Sequence, residues 1–92
     1  MPRSIIQDIG QVLRETLLAL NFTQDSLLDA TKLIALCVKA NELAQQRNLP
    51  ILEFTLTFVE EKPAILIAFF DADQILQKRA ISAELLQWLL KN

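Results

Sequence analysis

The sequence predicts an α+β domain, with two N-terminal helices, a small antiparallel β-meander of two or three strands, and one C-terminal helix. Two observations carry this prediction. Apolar residues recur with helical spacing in the first half of the chain and near its end, whereas Ile51–Phe70 alternates as a strand does. A chain of 92 residues can build one hydrophobic core but not two. We therefore expect a single domain over residues 1–92.

The first helix is predicted to begin after Ser4, a favourable N-cap residue, and to run to about Leu20. Its expected buried side consists of residues at steps of three and four: Ile5, Ile9, Val12, Leu13, Thr16, Leu17 and Leu20. Gly10 weakens such a helix by about 1 kcal/mol relative to alanine. Two explanations for Gly10 stay open, namely close approach of another backbone or a tolerated position on the solvent side.

The second helix is predicted to begin with Thr23 as its N-cap, to have its body at Leu27–Ala44, and to stop at Asn48. Pro50 prevents it from continuing. More than half of its circumference is apolar, so we expect it to be the central helix, packed against both the first helix and the sheet.

Two strands joined by a charged turn are predicted within Ile51–Phe70. The first strand has the pattern of a half-buried strand, with Leu52, Phe54, Leu56 and Phe58 on one face and Glu53, Thr55 and Thr57 on the other. The turn is expected at Glu60–Pro63, where charges and a proline interrupt the apolar run. The second strand, Ala64–Phe70, is apolar on both faces. It therefore needs cover on both sides, from helices, from a partner chain, or from one of each.

The segment Asp71–Ile81 allows two interpretations. In one, a long helix starts at the first of these residues; in the other, the first four residues form a turn and Ile75–Ala80 forms a third strand. A helix-start signal at Ser82 favours the strand, because a helix already under way needs no second start. A third strand also gives the doubly apolar strand a central position. Residues 83–90 are predicted to be helical in either case.

Composition limits the partners and the compartment. The formal net charge is −2, and the nine basic residues are scattered, with Lys78-Arg79 as the only adjacent pair. This distribution argues against nucleic acid or a membrane as the main partner. A single cysteine excludes an intramolecular disulfide and is typical of a cytoplasmic protein. Asp8 precedes any long apolar stretch, so no signal peptide is expected, and the longest uncharged apolar runs are too short to span a bilayer.

The residues with potential chemistry favour structural roles. The sequence contains no histidine and no tyrosine, so the commonest general base is missing. Cys37 lies in the most apolar helix, where a thiolate is disfavoured. Asp71 and Asp73, with Glu60 and Glu61, offer oxygen ligands, but their spacing does not match a calcium-binding EF-hand loop. We therefore expect no catalytic residue, no metal and no cofactor.

The apolar fraction, 52% of a short chain, predicts a surface that meets another subunit or a partner. The residues expected at that interface are Leu66, Ala68 and Phe70 of the second strand and Trp88 of the last helix. The sequence thus favours a small soluble, cytoplasmic, non-enzymatic module for protein–protein interaction, of an adaptor or regulatory kind, that forms a homo-oligomer. A second interpretation also stays open: a small-ligand sensor or carrier with a pocket between the helices and the sheet.

Overall fold

The computed structural model describes residues 4–91, and its elements follow the predicted α+β order. They are α1 (Ile5–Ala19), a short 3₁₀ helix (Asp25–Leu28), α2 (Ala30–Gln46), β1 (Ile51–Val59), β2 (Lys62–Phe70), β3 (Leu76–Ile81) and α3 (Ala83–Lys91). The strands form one antiparallel sheet in the order β1-β2-β3, so that β2 is central. The meander of three strands, which the sequence favoured over a longer last helix, is confirmed.

Local signals account for the ends of the two long helices. Ser4 and Gln7 form a capping box, in which the N–H of each residue donates to the side-chain oxygen of the other, both at 3.2 Å. After α1 and α2, Asn21 and Asn48 adopt the left-handed conformation, with φ of 54° and 53°. Asparagine tolerates this conformation better than most residues. The predicted cap at Ser4 and the predicted stop at Asn48 are therefore confirmed.

Gly10 faces open space in α1. A Cβ atom added to it would meet no atom within 4 Å. Close approach of another backbone, one of the two explanations that the sequence left open, is therefore wrong. The missing side chain lowers the stability of the helix without any gain in packing.

The predicted start of the second helix at Thr23 is wrong. The N–H of Thr23 donates to Ser26 Oγ at 3.1 Å, within a turn that leads into the 3₁₀ helix. Asp29 is extended and caps α2, with its Oδ1 accepting the N–H of Thr31 at 3.0 Å and of Lys32 at 3.3 Å. Because this carboxylate satisfies two N–H groups that have no partner within the helix, α2 begins after Asp29.

A two-residue turn joins β1 to β2. Glu60 and Glu61 both have positive φ, 52° and 67°, as a type I′ hairpin turn requires. The turn is shorter than predicted, because Pro63 lies within β2, opposite Phe58. β3 pairs with β2 only from Ile65 onward, so no neighbouring strand needs the N–H that proline lacks.

A bulge between Ile51 and Glu53 changes the predicted apolar face of β1. Ile51 packs against the core, whereas Leu52, expected on the buried face, is exposed. The extra residue of a bulge breaks the strict alternation of side chains between the two faces of a strand. Phe54 faces the core as predicted.

The hydrophobic core lies between the helices and one face of the sheet. α2 lies against β1 and β2, and α3 packs against α1. The sheet contributes Phe54, Ile65, Ile67 and Phe69, and the helices contribute Ile9, Val12, Leu13, Leu17, Leu33, Leu36, Cys37, Ala40, Ala44 and Leu86. Because all of these sheet residues lie on one face, the arrangement has two layers, and no helix within residues 4–91 covers the other face of the sheet.

Candidate interaction surfaces

The sheet has a second face that no helix of the described residues 4–91 covers, and we call it the open face. The strand register assigns its members: Glu53, Thr55, Thr57 and Val59 of β1, Lys62, Ala64, Leu66, Ala68 and Phe70 of β2, and Leu76, Lys78 and Ala80 of β3. None of them belongs to the core between the layers. The open face is therefore the broad surface of the sheet that remains for a partner.

Three of the four residues predicted at an interface lie together on the open face. Leu66, Ala68 and Phe70 are alternate residues of the central strand. Ala68 is 6% exposed, because its short side chain lies in register between Glu53 and Lys78. Leu66 and Phe70 are partly exposed. The open face thus presents a narrow apolar stripe along β2, with a carboxylate on one side and an ammonium group on the other.

Trp88, the fourth residue predicted at the interface, lies elsewhere. It belongs to α3, which packs against α1 and places Leu86 in the core. Trp88 is 60% exposed on the outside of the helical layer. The structure does not bring it together with the other three residues, because α3 returns to the helical side of the sheet in order to bury Leu86.

The outer edge of β1 carries a contact that the sequence did not reveal. The side-chain amide of Asn41 on α2 binds both backbone groups of Phe54. The N–H of Phe54 donates to Asn41 Oδ1 at 2.7 Å, and Asn41 Nδ2 donates to the carbonyl oxygen of Phe54 at 3.0 Å. The amide thus occupies the place that the peptide group of a neighbouring strand would take. The only signal was an asparagine in an apolar helix, and its partner lies 13 residues away.

The rest of the outer edge of β1 lacks residues that would prevent pairing with another strand. Because backbone groups alternate in direction along a strand, Leu56 and Phe58 direct their N–H and C=O groups to the same side as Phe54, away from β2. The segment 54–59 contains no charge and no proline, which are among the usual means of protecting an edge strand. β3, the opposite edge, carries two adjacent basic residues.

Exposed apolar side chains accompany the outer edge of β1. Ile34 and Val38 on α2 are 50% and 55% exposed, and Phe58 is 59% exposed. At about 100° per helical residue, Ile34 and Val38 lie within about 60° of Asn41, on the flank of α2 that reaches β1. We call Ile34 and Val38, together with the outer backbone of Leu56 and Phe58, the edge surface.

Cys37 is a poor nucleophile in the folded chain. It is buried in the core, and burial raises the pKa of its thiol from 9.0 to about 11. A thiol with this pKa is almost entirely protonated at neutral pH, whereas the thiolate is the form that attacks electrophiles or binds metals. The structure therefore gives Cys37 a packing role.

The acidic residues considered as metal ligands lie at opposite ends of the sheet, and one of them, Asp71, holds a turn together through hydrogen bonds. Asp71 Oδ1 accepts the N–H of Asp73 at 2.9 Å and of Ile75 at 3.0 Å, and Oδ2 accepts from Gln77 Nε2 at 2.9 Å. The bonds from Ile75 and Gln77 hold the pKa of Asp71 below its usual value. The two glutamates of the β1–β2 turn lie at the other end of the sheet. Within residues 4–91, no three potential ligands gather as a metal site would require.

The clefts found on the described surface lie at the periphery. One of about 510 Å³ lies between the end of α2 and the start of β1, and includes Asn41 and Leu52. Another, of about 560 Å³, lies between α1 and α3 and includes Gly10 and Leu89. The space between the helices and the sheet is filled by the side chains of the core.

None of the helices in the described chain combines the length and the apolar character needed to cross a membrane. Comparison with models of known protein families, with curated proteins and with solved structures finds no match for this chain.

Proposed function

We propose that this chain is a non-enzymatic protein–protein interaction module, of an adaptor or regulatory kind, that binds a protein partner through its open face. The observation that carries the proposal is the central strand β2. Its residues Ala64–Phe70 are apolar on both faces, but the helices of the described residues cover only one of these faces. A strand with two apolar faces is typical of a sheet that is covered on both sides. A protein partner would supply the second cover.

The chemistry of the chain supports a binding function over catalysis. The sequence has no histidine, Cys37 is buried and protonated, and Asp71 is engaged in a turn. The charged residues of the open face, Glu53, Lys62 and Lys78, are of both signs, and this mixture favours a protein partner over nucleic acid. We place the module in the cytoplasm because a lone cysteine is the usage of a reducing compartment.

The second interpretation, a sensor or carrier for a small ligand, has less support. It requires a pocket between the helices and the sheet, and ligand pockets are mostly enclosed by apolar side chains. The core fills that space, and the clefts lie at the periphery. We therefore rank the interaction module first.

The proposal is tested with Leu66→Glu, which places a charge in the middle of the open face. Leu18→Glu, the same change at an exposed position of α1, is the matched control. Tagged wild-type chain and both variants are used to isolate partners from the native host, and circular dichroism verifies that each variant is folded. Because an unpaired charge in an apolar interface is costly, Leu66→Glu should retain at least about tenfold less partner. The wild type and Leu18→Glu should retain equal amounts.

A partner retained equally by all three proteins would show that the open face is not the binding surface. Equal loss from both variants would show that the effect is not specific to the sheet. Either result contradicts the proposal.

A further inference from the structure

We propose that a second copy of this chain docks on the edge surface, with the two β1 strands antiparallel across a two-fold axis. The two sheets then join into one of six strands, and the two α2 helices meet beside the joined edges. The inference goes beyond the proposed function, since it names a second partner for the module. It uses a different surface, so the open face stays free for another protein.

Asn41 restricts the register of this pairing. The outward groups of Phe54 are already bound to Asn41, so only those of Leu56 and Phe58 are available along this part of β1. Pairing Leu56 with Phe58 of the second copy, and the reverse, makes four backbone hydrogen bonds and leaves both bonds of Asn41 in place. If the two-fold axis lay at Leu56 or at Phe58, the two strands would either make only two backbone hydrogen bonds or displace Asn41 from Phe54. The favoured register therefore places the two-fold axis at Thr57.

The exposed side chains of α2 identify the partner as a second copy and not as a lone extended peptide. The short connection between α2 and β1 makes the two elements antiparallel. The contact of Asn41 with Phe54 fixes one point of this alignment. From there, the three residues from Phe54 to Thr57 cover about 10 Å of β1, and the seven residues back from Asn41 to Ile34 cover about the same length of α2. That distance places Ile34 beside Thr57, next to the two-fold axis. A second copy supplies both a strand for the edge and an apolar helix flank for Ile34 and Val38, whereas a peptide strand supplies only the first.

The register is tested by disulfide trapping in a Cys37→Ala background. Across the axis, the two Thr57 residues face each other as a non-hydrogen-bonded pair, with Cα atoms about 4.5 Å apart. That separation is within the range of a disulfide. Thr57→Cys should form a covalent dimer under mild oxidation. Thr55→Cys is the matched control, because the two copies of position 55 are about 14 Å apart in this register. Crosslinking of Thr55→Cys as fast as Thr57→Cys would overturn the register.

The dimer itself is tested by size-exclusion chromatography with light scattering. The wild type should elute at twice the chain mass of 10.5 kDa. Val38→Glu should raise the dissociation constant at least about tenfold, because it places a charge in the apolar contact between helices. Leu18→Glu, at the exposed position of α1 used as a control above, should behave as the wild type does. A monomeric wild type, or equal effects of the two helix variants, would overturn the proposal.

Leu66→Glu separates this inference from the proposed function. Its charge lies on the open face, so the variant should remain a dimer even where it loses another protein partner. A dimer that dissociates in Leu66→Glu but not in Val38→Glu would move the contact between copies to the open face and overturn the edge surface.

Discussion

Replacing Asn41 with alanine should destabilise the protein, because it removes both hydrogen bonds to the backbone of Phe54. These bonds are 2.7 and 3.0 Å long and lie in a partly buried region. Each of the two hydrogen bonds contributes about 0.5–1.5 kcal/mol net, so removing both should lower the free energy of unfolding by about 1–3 kcal/mol. Alanine is the better helix former by roughly 0.6 kcal/mol, which offsets part of the loss. We therefore expect the free energy of unfolding to fall by about 1.5 kcal/mol.

Urea denaturation followed by circular dichroism measures this change, with Gln45→Ala as the matched control. Gln45 is a side-chain amide on the same helix, one turn after Asn41, and it is exposed. Its replacement should change stability by less than about 0.5 kcal/mol. Both changes are made together with Val38→Glu, so that association between copies does not contribute. Equal stability of the Asn41 and Gln45 variants would refute the view that the amide of Asn41 completes the edge of β1. An unchanged rate of hydrogen exchange at the backbone amide of Phe54 in Asn41→Ala would refute the same view.

Four further outcomes follow from the structure. Gly10→Ala should raise the free energy of unfolding by about 0.8–1.0 kcal/mol and the melting temperature by roughly 4–8 °C, since the added methyl group meets no atom; a loss of stability would contradict the open environment of Gly10. Changing Glu60 and Glu61 together to Asn-Gly should stabilise the hairpin by about 1 kcal/mol in thermal unfolding, because both positions have positive φ; no gain would argue against the type I′ turn. Cys37 should react with a thiol reagent about 100-fold more slowly in the native than in the unfolded protein, since its pKa is raised to about 11; equal rates would mean that the thiol is accessible and ionised. Asp71 has a lowered pKa in the folded state, so this carboxylate contributes its full stabilisation at pH values above the ordinary pKa of 3.8 and loses it as the pH falls through the lowered pKa. Asp71→Asn should remove that part of the pH dependence of the urea midpoint. Identical pH profiles for the variant and the wild type would contradict this role of Asp71.

The sequence alone was sufficient where a structural signal is local. The N-cap at Ser4 and the left-handed stop at Asn48 depend on hydrogen bonds and backbone preferences within a few residues, and both were predicted. The helix start at Ser82 is of the same kind, with the N–H of Leu85 donating to its hydroxyl at 3.3 Å. The apolar pattern of Ala64–Phe70 also predicted a central strand, because the pattern of burial along a strand is written in its own side chains.

Other features were decided by contacts between distant residues. Thr23 and Asp29 are both good caps, and only the packing of the segment between them decided which one begins α2. The bulge after Ile51 exchanged one apolar residue for another at the core, and no pattern within β1 alone distinguishes the two. Trp88 was predicted at the same interface as Leu66, but helix packing placed it on the other layer.

The candidate surfaces show the same division. The sequence by itself determined that Ala64–Phe70 is apolar on both faces, since that is a property of its residues. Only the tertiary structure decided that all three helices pack on one of those faces. It also decided that Asn41 reaches the outer edge of β1, where it binds Phe54. The outward N–H and C=O groups of Leu56 and Phe58 remain available at this edge. The physical reason is that an exposed face or edge is defined by what fails to pack against it, and packing partners far apart in the chain are chosen only when the whole core assembles.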